Sequence, residues 1–509
     1  MPRHHIVALL PPFWGHCVSY IHLAVQLLAE DPTLAISIVQ HTVIVERMEA
    51  ELATCEYDTT RLRIISVGEK DVPVGPTVFK LMVEQLLGGW AQNLPSLVSG
   101  GAEWPKPRCM HLDFSVGGLI LDPTKAAMGP DCKYLMYWAC PSAMLPAYFH
   151  EYDWSALAAG IYADEERRAG RSMDEIGVQV TLAWNGSDKA NGTVVKYPGI
   201  PDMYDYERLS YAIGPPVMNW PLFPIAYKLA TASDGFICAS GTFYEPISVP
   251  YLREFYQSRK QEIFSVGLLT HERYFADHPN PLLITNERIK TFLDDALSKH
   301  GTDSVLYISF GTLFFPVATP GHVEALIDTL LSLEQPFPFV FALGGAMASL
   351  PEDTKNRVNG SGKGLICDFW VEQRAILQHP AVGCFLTHGG FNSIAEAILT
   401  GIPLIIWPAG AEQPITAAYL SAEPNPVAVE LLQIRTGAQL GPSLRHPGVE
   451  ISGTVEDAVK EFEVVLRDVR GEKGRRLRSN MIELGKKARE ARARGQVKED
   501  IKRLAKFGL

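Results

Sequence analysis

The stretch that decides the fold is residues 384–413, CFLTHGGFNSIAEAILTGIPLIIWPAGAEQ. It begins inside an apolar run and continues, after two glycines, as a helical segment over about residues 392–399. Gly401 and Pro403 end that helix, and the apolar residues that follow have the composition of a second buried strand. The pattern predicts a strand–helix–strand unit, in which the helix N-terminus lies at the carboxyl edge of a parallel sheet.

The turn between this strand and helix has the composition of an anion-binding site. Consecutive glycines let the backbone approach a ligand closely, and the first N–H groups of a helix point at whatever lies beyond its N-terminus. The pattern assigns those N–H groups to Asn392, Ser393 and Ile394, and His388 adds a ring donor. Together they suit a pyrophosphate. The same residues also fit an ordinary strand-to-helix turn capped by Asn392.

The residues around the turn, between positions 370 and 413, form a pattern of residue types and spacings. Reading outward, they are Trp370, Gln373, Leu377, His379, Gly383, His388, Gly390, Asn392, Ser393, Glu396, Gly401, Pro403, Trp407, Pro408, Glu412 and Gln413. This set closely resembles the signature box of the family 1 UDP-glycosyltransferases. The sequence departs from that box at two places: Val371 and Glu372 stand where Ala-Pro is common, and Phe391 stands where Trp is common.

Alternation of short apolar runs with amphipathic segments predicts an α/β protein with mostly parallel sheets covered on both faces. The predicted strands lie at 5–11, 35–41, 62–67, 109–114, 134–138, 236–239, 264–268, 305–310, 339–343, 365–367, 382–386, 404–407 and 427–429. Residues 152–230 break the rhythm and are predicted as long loops and short helices over a pocket. Residues 270–283 are polar and contain proline, as interdomain linkers do.

The resemblance names this architecture the GT-B fold, two Rossmann-like domains facing each other across a cleft. The expected division is an acceptor-binding domain at 1–267, a linker with the first helix of the second domain at 268–300, and a UDP-sugar-binding domain at 301–480. The last segment, 481–509, is expected to pack back toward the N-terminal domain. Its apolar residues keep helical spacing within a strongly basic tail, which predicts two surface helices and leaves a polybasic membrane-surface contact as the alternative.

Composition excludes several classes of protein. With 509 residues, 47% of them hydrophobic, the chain is typical of a globular protein with more than one domain. A net charge of −11 argues against general affinity for nucleic acid. The eight cysteines are scattered without a CxxC pair, which favours free thiols in a reducing compartment. No targeting segment or membrane span is predicted, and with the resemblance to soluble members of the family this gives a cytoplasmic protein.

The candidate catalytic residues lie in the first half. His16 is expected on the loop between the first strand and the first helix, and His22 on the solvated face of that helix. Gly15-His16 stands where the family carries its Gly-His pair, which implies that His16 is the base taking the proton of an acceptor hydroxyl. Asp113 matches the family's buried Asp, which would orient the imidazole. From the residues alone, His111, Asp122 and Asp131 remain rivals for that role.

The remaining roles follow from the resemblance. Trp370 would stack on uracil, and Gln373 and Glu396 would bind the ribose. Glu412 and Gln413 would bind the sugar, a final Gln being the form associated with glucose. Thr312, in the turn after residue 310, would contact the pyrophosphate together with His388, Gly390, Asn392 and Ser393. Trp407 is expected to pack in the core.

No Asp-x-Asp pair and no His or Cys cluster with metal-ligand spacing occurs in the sequence, so neither a metal nor a cofactor is predicted. The UDP leaving group would be stabilised by the helix N-terminus and by His388. Phe13, Trp14 and Phe79, among other aromatic residues, could line an apolar acceptor pocket.

These observations predict an inverting glycosyltransferase that moves glucose, or as second choice xylose, from a UDP-sugar co-substrate. The acceptor would be a hydroxyl of a small lipophilic natural product such as a terpenoid, sterol or polyphenol. Two other functions fit the same residues. A UDP-sugar epimerase would need no acceptor, and a catalytically silent binding protein would use the nucleotide site for recognition alone.

Overall fold

The computed structural model describes residues 2–72, 78–150, 152–183, 188–209, 220, 222–276, 282–345 and 347–509. The chain divides into two compact units. Unit 1 comprises Met1–Thr181, Val217–Glu272 and Ala488–Leu509, and unit 2 comprises Leu182–Pro216 and Arg273–Lys487. Part of the predicted linker, residues 277–281, lies outside the described residues.

Strands and helices alternate along the first part of the chain. They are β1 (His4–Leu9), α1 (Trp14–Glu30), β2 (Leu34–His41), α2 (Thr42–Leu52), β3 (Leu62–Val67), α3 (Val78–Ser99), β4 (Cys109–Asp113), α4 (Gly117–Met128), β5 (Lys133–Trp138), α5 (Leu145–Phe149), α6 (Trp154–Ala163), α7 (Glu165–Arg168), α8 (Met173–Ala183), β6 (Val194–Val195), β7 (Met203–Tyr204), α9 (Leu222–Ala232), β8 (Gly235–Cys238), α10 (Ser248–Gln257) and β9 (Glu262–Ser265).

The alternation resumes after the linker. The elements are α11 (Glu287–His300), β10 (Val305–Ser309), α12 (Pro320–Ser332), β11 (Phe339–Ala342), α13 (Glu352–Ser361), β12 (Gly364–Cys367), α14 (Gln373–Gln378), β13 (Val382–Thr387), α15 (Phe391–Thr400), β14 (Leu404–Ile406), α16 (Gln413–Leu420), β15 (Ala428–Glu430), β16 (Gly441–Pro442), β17 (Glu450–Ile451), α17 (Val455–Asp468), α18 (Glu472–Arg494) and α19 (Gln496–Ala505).

Each unit is built on one parallel sheet. The sheet of unit 1 has seven strands in the order β3-β2-β1-β4-β5-β8-β9, and that of unit 2 has six in the order β12-β11-β10-β13-β14-β15. Residues of β1, β2, β10 and β13 are buried throughout, as expected for strands covered by helices on both faces. All thirteen predicted strands are confirmed, each beginning and ending within three residues of its prediction.

The segment around β6 and β7 belongs to unit 2, although the chain on either side of it belongs to unit 1. Its anchor is Glu207, which is fully buried and accepts hydrogen bonds from Ser443 Oγ at 2.6 Å and Leu444 N–H at 3.0 Å. The buried side chain of Arg435 donates to the carbonyl of Glu207 at 2.7 Å and pairs with buried Glu430. Buried charges of this kind are retained only where their partners satisfy them.

The basic tail forms two helices, α18 and α19, as predicted. Within unit 1, α19 packs on α1 and β9 and buries Val497, Ile501 and Leu504. Asp500 is buried on the same face, where it accepts the Ser265 N–H at 2.9 Å. Arg492, Lys498 and Arg503 form ion pairs with Glu272, Glu30 and Glu262, which favours the structural interpretation of the tail over a membrane-surface contact. In the described ranges, no helix combines the length and the apolar character needed to cross a membrane.

Replacement of Ile501 by Ala is expected to lower the free energy of unfolding of unit 1 by about 2–4 kcal/mol, because the lost methyl groups leave a cavity between α19 and the sheet. Urea unfolding followed by circular dichroism measures this. The adjacent Lys502 is exposed and serves as the control: Lys502→Ala should leave the midpoint unchanged. Equal midpoints for the two variants would show that the helix does not contribute to the core.

Candidate active site

Each sheet reverses its strand order beside its first strand. The reversal lies between β1 and β4 in unit 1, and between β10 and β13 in unit 2. The connections after such a strand pair leave toward opposite faces, which opens a crevice at the carboxyl ends where ligands bind. His16 and Asp113 lie at the ends of β1 and β4, and we refer to them as the unit 1 site. The candidate residues at the ends of β10 and β13, with those that follow the neighbouring strands β12 and β14, are referred to as the unit 2 site.

In the unit 1 site, His16 lies in the first turn of α1. The prediction that it lies on a loop is wrong, because the helix already begins at Trp14. Phe13 is the N-cap residue, and its carbonyl accepts the N–H groups of His16 and Cys17, each at 3.1 Å. A helix start fixes the His16 backbone more rigidly than a loop would.

His16 and Asp113 form a hydrogen-bonded pair. Nδ1 of His16 lies 2.7 Å from Oδ2 of Asp113, whose side chain is fully buried, while that of His16 is 23% exposed. The other carboxylate oxygen accepts the N–H of Ser115 at 2.9 Å and its hydroxyl at 2.6 Å. Since a carboxylate accepts the proton on Nδ1, the neutral ring carries its basic lone pair on Nε2. The arrangement matches the His–Asp part of a catalytic triad.

The three rivals of Asp113 lie elsewhere. His111 is buried in β4, where its Nδ1 lies 2.8 Å from the Tyr20 hydroxyl and burial lowers its pKa to about 3. Asp122 forms an ion pair with Lys228 on the surface, and Asp131 is exposed. None of the three is hydrogen-bonded to His16 in the contacts described above.

The expectation that His22 lies on a solvated face is also wrong. His22 is buried, and its Nε2 lies 2.9 Å from Oε1 of Glu51. The reason is that α2, which carries Glu51, packs against this face of α1. A single helix pattern cannot show which of its faces a neighbouring helix covers.

In the unit 2 site, the turn between β13 and α15 is made by glycines. Gly389 has φ +89°, a conformation that residues with a Cβ rarely adopt, and Gly390 is the N-cap residue without a side-chain cap. Asn392 is therefore not the cap. The helix begins at Phe391, one residue earlier than predicted, and the Ile394 N–H donates to the Gly390 carbonyl at 3.2 Å. Ile394 is thus wrongly included among the outward-pointing amides.

The imidazole of His388 lies in a slot between two glycines. A Cβ on Gly390 would come within 2.4 Å of its Nε2, and a Cβ on Gly311 within 2.6 Å of its Cε1. The ring of Phe314 stacks near it at 6.4 Å between centroids. Burial lowers the pKa of His388 to about 4, so the ring is neutral at pH 7. A neutral imidazole in a fixed orientation can donate one ring N–H to an oxygen of a ligand.

Gln373 and Glu396 are brought together across α14 and α15. Nε2 of Gln373 donates to Glu396 Oε2 at 2.8 Å and to Ser393 Oγ at 3.3 Å. Oε1 of Gln373 accepts the hydroxyl of Tyr307 at 3.2 Å, and burial keeps the pKa of that phenol well above its ordinary value. Arg374 Nε donates to the second oxygen of Glu396 at 2.9 Å.

The other predicted residues lie around this turn or at its margin. Glu412 is the N-cap residue of α16, and Gln413 accepts the N–H groups of Ala409 and Gly410 through Oε1, both at 2.9 Å. The side chain of Gln413 lies beside the Gly389 turn, because a Cβ placed on Gly389 would lie 3.6 Å from that of Gln413. Thr312 follows Gly311 in the loop after β10.

The two tryptophans of the signature, Trp370 and Trp407, differ in their exposure to solvent. Trp370 is 56% exposed, whereas Trp407 is fully buried and packs edge-on against Phe310 with ring centroids 5.5 Å apart. The core interpretation of Trp407 is confirmed, and Trp370 is largely exposed, as a side chain that stacks on a ligand would have to be.

Three residues that hold candidate side chains in place were not predicted from the sequence: Arg374, Tyr307 and Ser115. A buried tyrosine in a strand that leads to the site is a weak signal, and Arg374 and Ser115 gave none, because their roles depend on side-chain contacts between elements. Among the described residues, no group of three or more His, Cys, Asp and Glu side chains is arranged to hold a metal ion.

Comparisons with known proteins address the family directly. The family model described as UDP-glucoronosyl and UDP-glucosyl transferase matches residues 287–444. The UDP-glycosyltransferase eriJ of Hericium erinaceus is 28% identical over 90% of this chain and 89% of its own. Both matches indicate the UDP-glycosyltransferases of family 1, the family that the sequence pattern resembles. Solanidine UDP-glucose glucosyltransferase 1 of Solanum tuberosum is 32% identical over 44% of this chain and 43% of its own length.

Solved structures give the fold. A UGT of Siraitia grosvenorii in complex with UDP aligns with a TM-score of 0.67 over 99% of this chain and 100% of that chain, at 18% identity. Medicago truncatula UGT71G1 complexed with UDP-glucose aligns with a TM-score of 0.67 over 99% and 97%, at 19% identity. The α/β fold with parallel sheets is therefore the GT-B fold.

Replacement of Gly390 by Ala is expected to weaken UDP binding at least about tenfold, because the new methyl group displaces the His388 ring from its slot. The φ of −62° at this position is compatible with alanine, so the backbone and the melting temperature should change little. Isothermal titration calorimetry measures the affinity. Gly360→Ala, on α13 where a Cβ meets no atom within 4 Å, is the matched control and should bind UDP like the wild type. Unchanged affinity in Gly390→Ala would exclude His388 from the UDP site.

Proposed function

We propose that this protein is a metal-independent UDP-glycosyltransferase that inverts the anomeric centre and transfers glucose to a hydroxyl of a small lipophilic natural product. UDP-glucose is the preferred donor and UDP-xylose the second. The observation that carries the proposal is the 2.7 Å hydrogen bond between His16 and the buried carboxylate of Asp113 at the carboxyl ends of β1 and β4.

The role of His16 is that of a general base. Nε2 takes the proton of the acceptor hydroxyl while that oxygen forms a bond to the anomeric carbon, and the bond from the anomeric carbon to the UDP oxygen breaks. Asp113 stabilises the imidazolium that forms. Because Ser115 donates to Oδ1 while His16 occupies Oδ2, the carboxylate is held in the orientation that this step requires. One displacement converts an α-linked donor into a β-glycoside.

The departing diphosphate receives its stabilisation from unit 2. The first-turn amides of α15 and the positive end of its dipole favour an anion beyond Gly390. The neutral ring of His388 and the loop at Thr312 add donors close to the same place. Donors fixed before the reaction stabilise developing charge without reorganisation, which is the larger part of many enzymes' rate enhancement.

The nucleoside and the sugar are assigned to the surrounding residues. Trp370 stacks on the uracil, Gln373 and Glu396 bind the ribose, and Glu412 and Gln413 bind the sugar hydroxyls. Support for glucose comes from Gln413, whose amide plane is fixed by two backbone N–H groups. The relatives named solanidine UDP-glucose glucosyltransferase and nuatigenin 3-beta-glucosyltransferase also favour glucose.

The acceptor is assigned by the surroundings of His16. The rings of Phe13 and Phe79 stack with centroids 4.5 Å apart. The centroid of the His16 ring lies 5.8 Å from that of Phe13 and 5.6 Å from that of Phe114, which stacks on it. Aromatic walls around a base favour a flat, apolar molecule that carries a hydroxyl, such as a sterol, terpenoid or polyphenol. All eight cysteines are free thiols, which supports a reducing compartment such as the cytoplasm.

Replacement of His16 by Ala is expected to reduce transfer by at least about 10³-fold, while UDP affinity stays within about twofold, since the proposed UDP contacts are in unit 2. Asp113→Asn should reduce kcat by about 10²-fold or more, because the amide favours the wrong tautomer of His16. Asp122→Asn is the matched control, as Asp122 pairs only with a surface lysine in the described contacts. Its kcat should equal that of the wild type, and a His16→Ala enzyme with normal turnover would contradict the assignment of the base.

Incubation of several UDP-sugars with a library of hydroxylated sterols, terpenoids and polyphenols, read by mass spectrometry, tests the reaction class. The expected result is a mass increase of one hexose, strongest with UDP-glucose, and a proton NMR spectrum of a β-linked product. An α-linked product would contradict the single displacement. Conversion of a UDP-sugar to its isomer without acceptor would indicate an epimerase, and UDP binding without any turnover would indicate a recognition protein.

A further inference from the structure

Arg374 lies next to the predicted nucleotide-binding residues without being part of the signature. It is the second residue of α14, and its Nε donates to Oε1 of Glu396 on α15 at 2.9 Å. The side chains are 21% and 12% exposed, so the ion pair is shielded from water more than an ordinary surface pair. Gln373, the residue before it, holds Oε2 of the same carboxylate at 2.8 Å.

We propose that Arg374 is a positioning residue that fixes the Glu396 carboxylate for the two hydroxyls of the ribose. This rests on the proposed function, in which Glu396 binds the ribose of the UDP-sugar. The residue acts through Glu396 and determines how strongly the enzyme prefers a ribonucleotide over one that lacks these hydroxyls.

Two hydrogen bonds hold the carboxylate of Glu396, and we refer to their donors, Gln373 and Arg374, as the clamp. Donors from Gln373 and Arg374 reach different oxygens of Glu396, which defines the plane of the group as well as its position. Gln373 is itself held by the Tyr307 hydroxyl at 3.2 Å, so one side of the clamp is anchored to the buried strand β10. Arg374 provides the other side.

The clamp leaves room for a ligand. A carboxylate offers about four acceptor positions, two on each oxygen. Gln373 and Arg374 use one position on each oxygen, so each can still accept one hydroxyl. A ribose presents two adjacent hydroxyls, and the spacing of the two oxygens of one carboxylate suits such a pair.

Preorganisation is the expected benefit. A glutamate side chain loses conformational entropy when it is fixed, and a clamp that fixes it beforehand removes this cost from the binding step. A charged donor also makes a stronger hydrogen bond to the carboxylate than an amide does. Without Arg374, Glu396 keeps only the neutral amide of Gln373 among these two donors.

The test compares UDP with 2′,3′-dideoxy-UDP by isothermal titration calorimetry. In the wild type, UDP is expected to bind at least about tenfold more tightly than the dideoxy compound. In Arg374→Gln, the Kd for UDP should rise about tenfold while that of the dideoxy compound changes by less than about twofold, so that the preference disappears. Arg374→Lys retains the charge and should recover part of the preference. In turnover, Arg374→Gln should raise the KM for the UDP-sugar and leave kcat within about twofold.

The control is Arg357→Gln, an arginine on α13 of the same unit that pairs with Glu324 and Asp328 and should leave both affinities unchanged. If the wild type binds both compounds equally, the assignment of Glu396 to the ribose is wrong, and the inference about Arg374 is overturned as well. If the wild type discriminates and Arg374→Gln discriminates equally well, the proposed function stands and the inference is overturned. Equal weakening of both compounds with a lower melting temperature would show a merely structural ion pair and would also overturn it.

Discussion

The structure depends on the reversal of strand order in each parallel sheet. Where neighbouring parallel strands send their connections to opposite faces, the carboxyl ends are left open, and no side chain of the sheet has to be removed to make a site there. Unit 1 uses this place for His16 and Asp113, and unit 2 uses it for His388 and the start of α15. The buried strands on both sides make the positions rigid, since every strand residue of β1 and β13 is covered.

A second constraint is that the side chains of the candidate site are held in fixed orientations by their neighbours in the protein. Asp113 has donors on both oxygens, His388 lies between two glycines, and Glu396 is clamped by its neighbours on α14. Each arrangement removes conformational freedom that binding would otherwise have to remove. The glycines are necessary for this, because any side chain at Gly311 or Gly390 would overlap the His388 ring.

The buried strands and the β13–α15 turn could be predicted from the sequence, whereas features that depend on contacts between distant elements could not. Continuous apolar runs reveal buried parallel strands, and the spacing from Trp370 to Gln413 reveals the turn, because both depend on residues close in sequence. His22 is different: its burial depends on α2, which covers one face of α1, and no pattern within α1 shows that. Helix starts were also uncertain by one or two residues, as at His16 and Ile394.

The contacts of longest range were the least accessible to sequence reasoning. Arg374 is one residue from the signature, but its partner Glu396 is 22 positions away on another helix. The anchoring of Glu207 to Ser443 spans 236 positions, and it assigns the β6–β7 segment to unit 2. Side-chain pairing between distant elements is specified by packing, which a single sequence does not display.

Hydrogen–deuterium exchange mass spectrometry with and without saturating UDP tests the central claim most directly, because it reports where the nucleotide is held. Binding should slow exchange in peptides that cover residues 307–314, 370–376 and 388–397, which carry the residues proposed to bind the diphosphate, the uracil and the ribose. Unchanged exchange in the 388–397 peptide, in a sample shown by calorimetry to be saturated with UDP, would contradict the account.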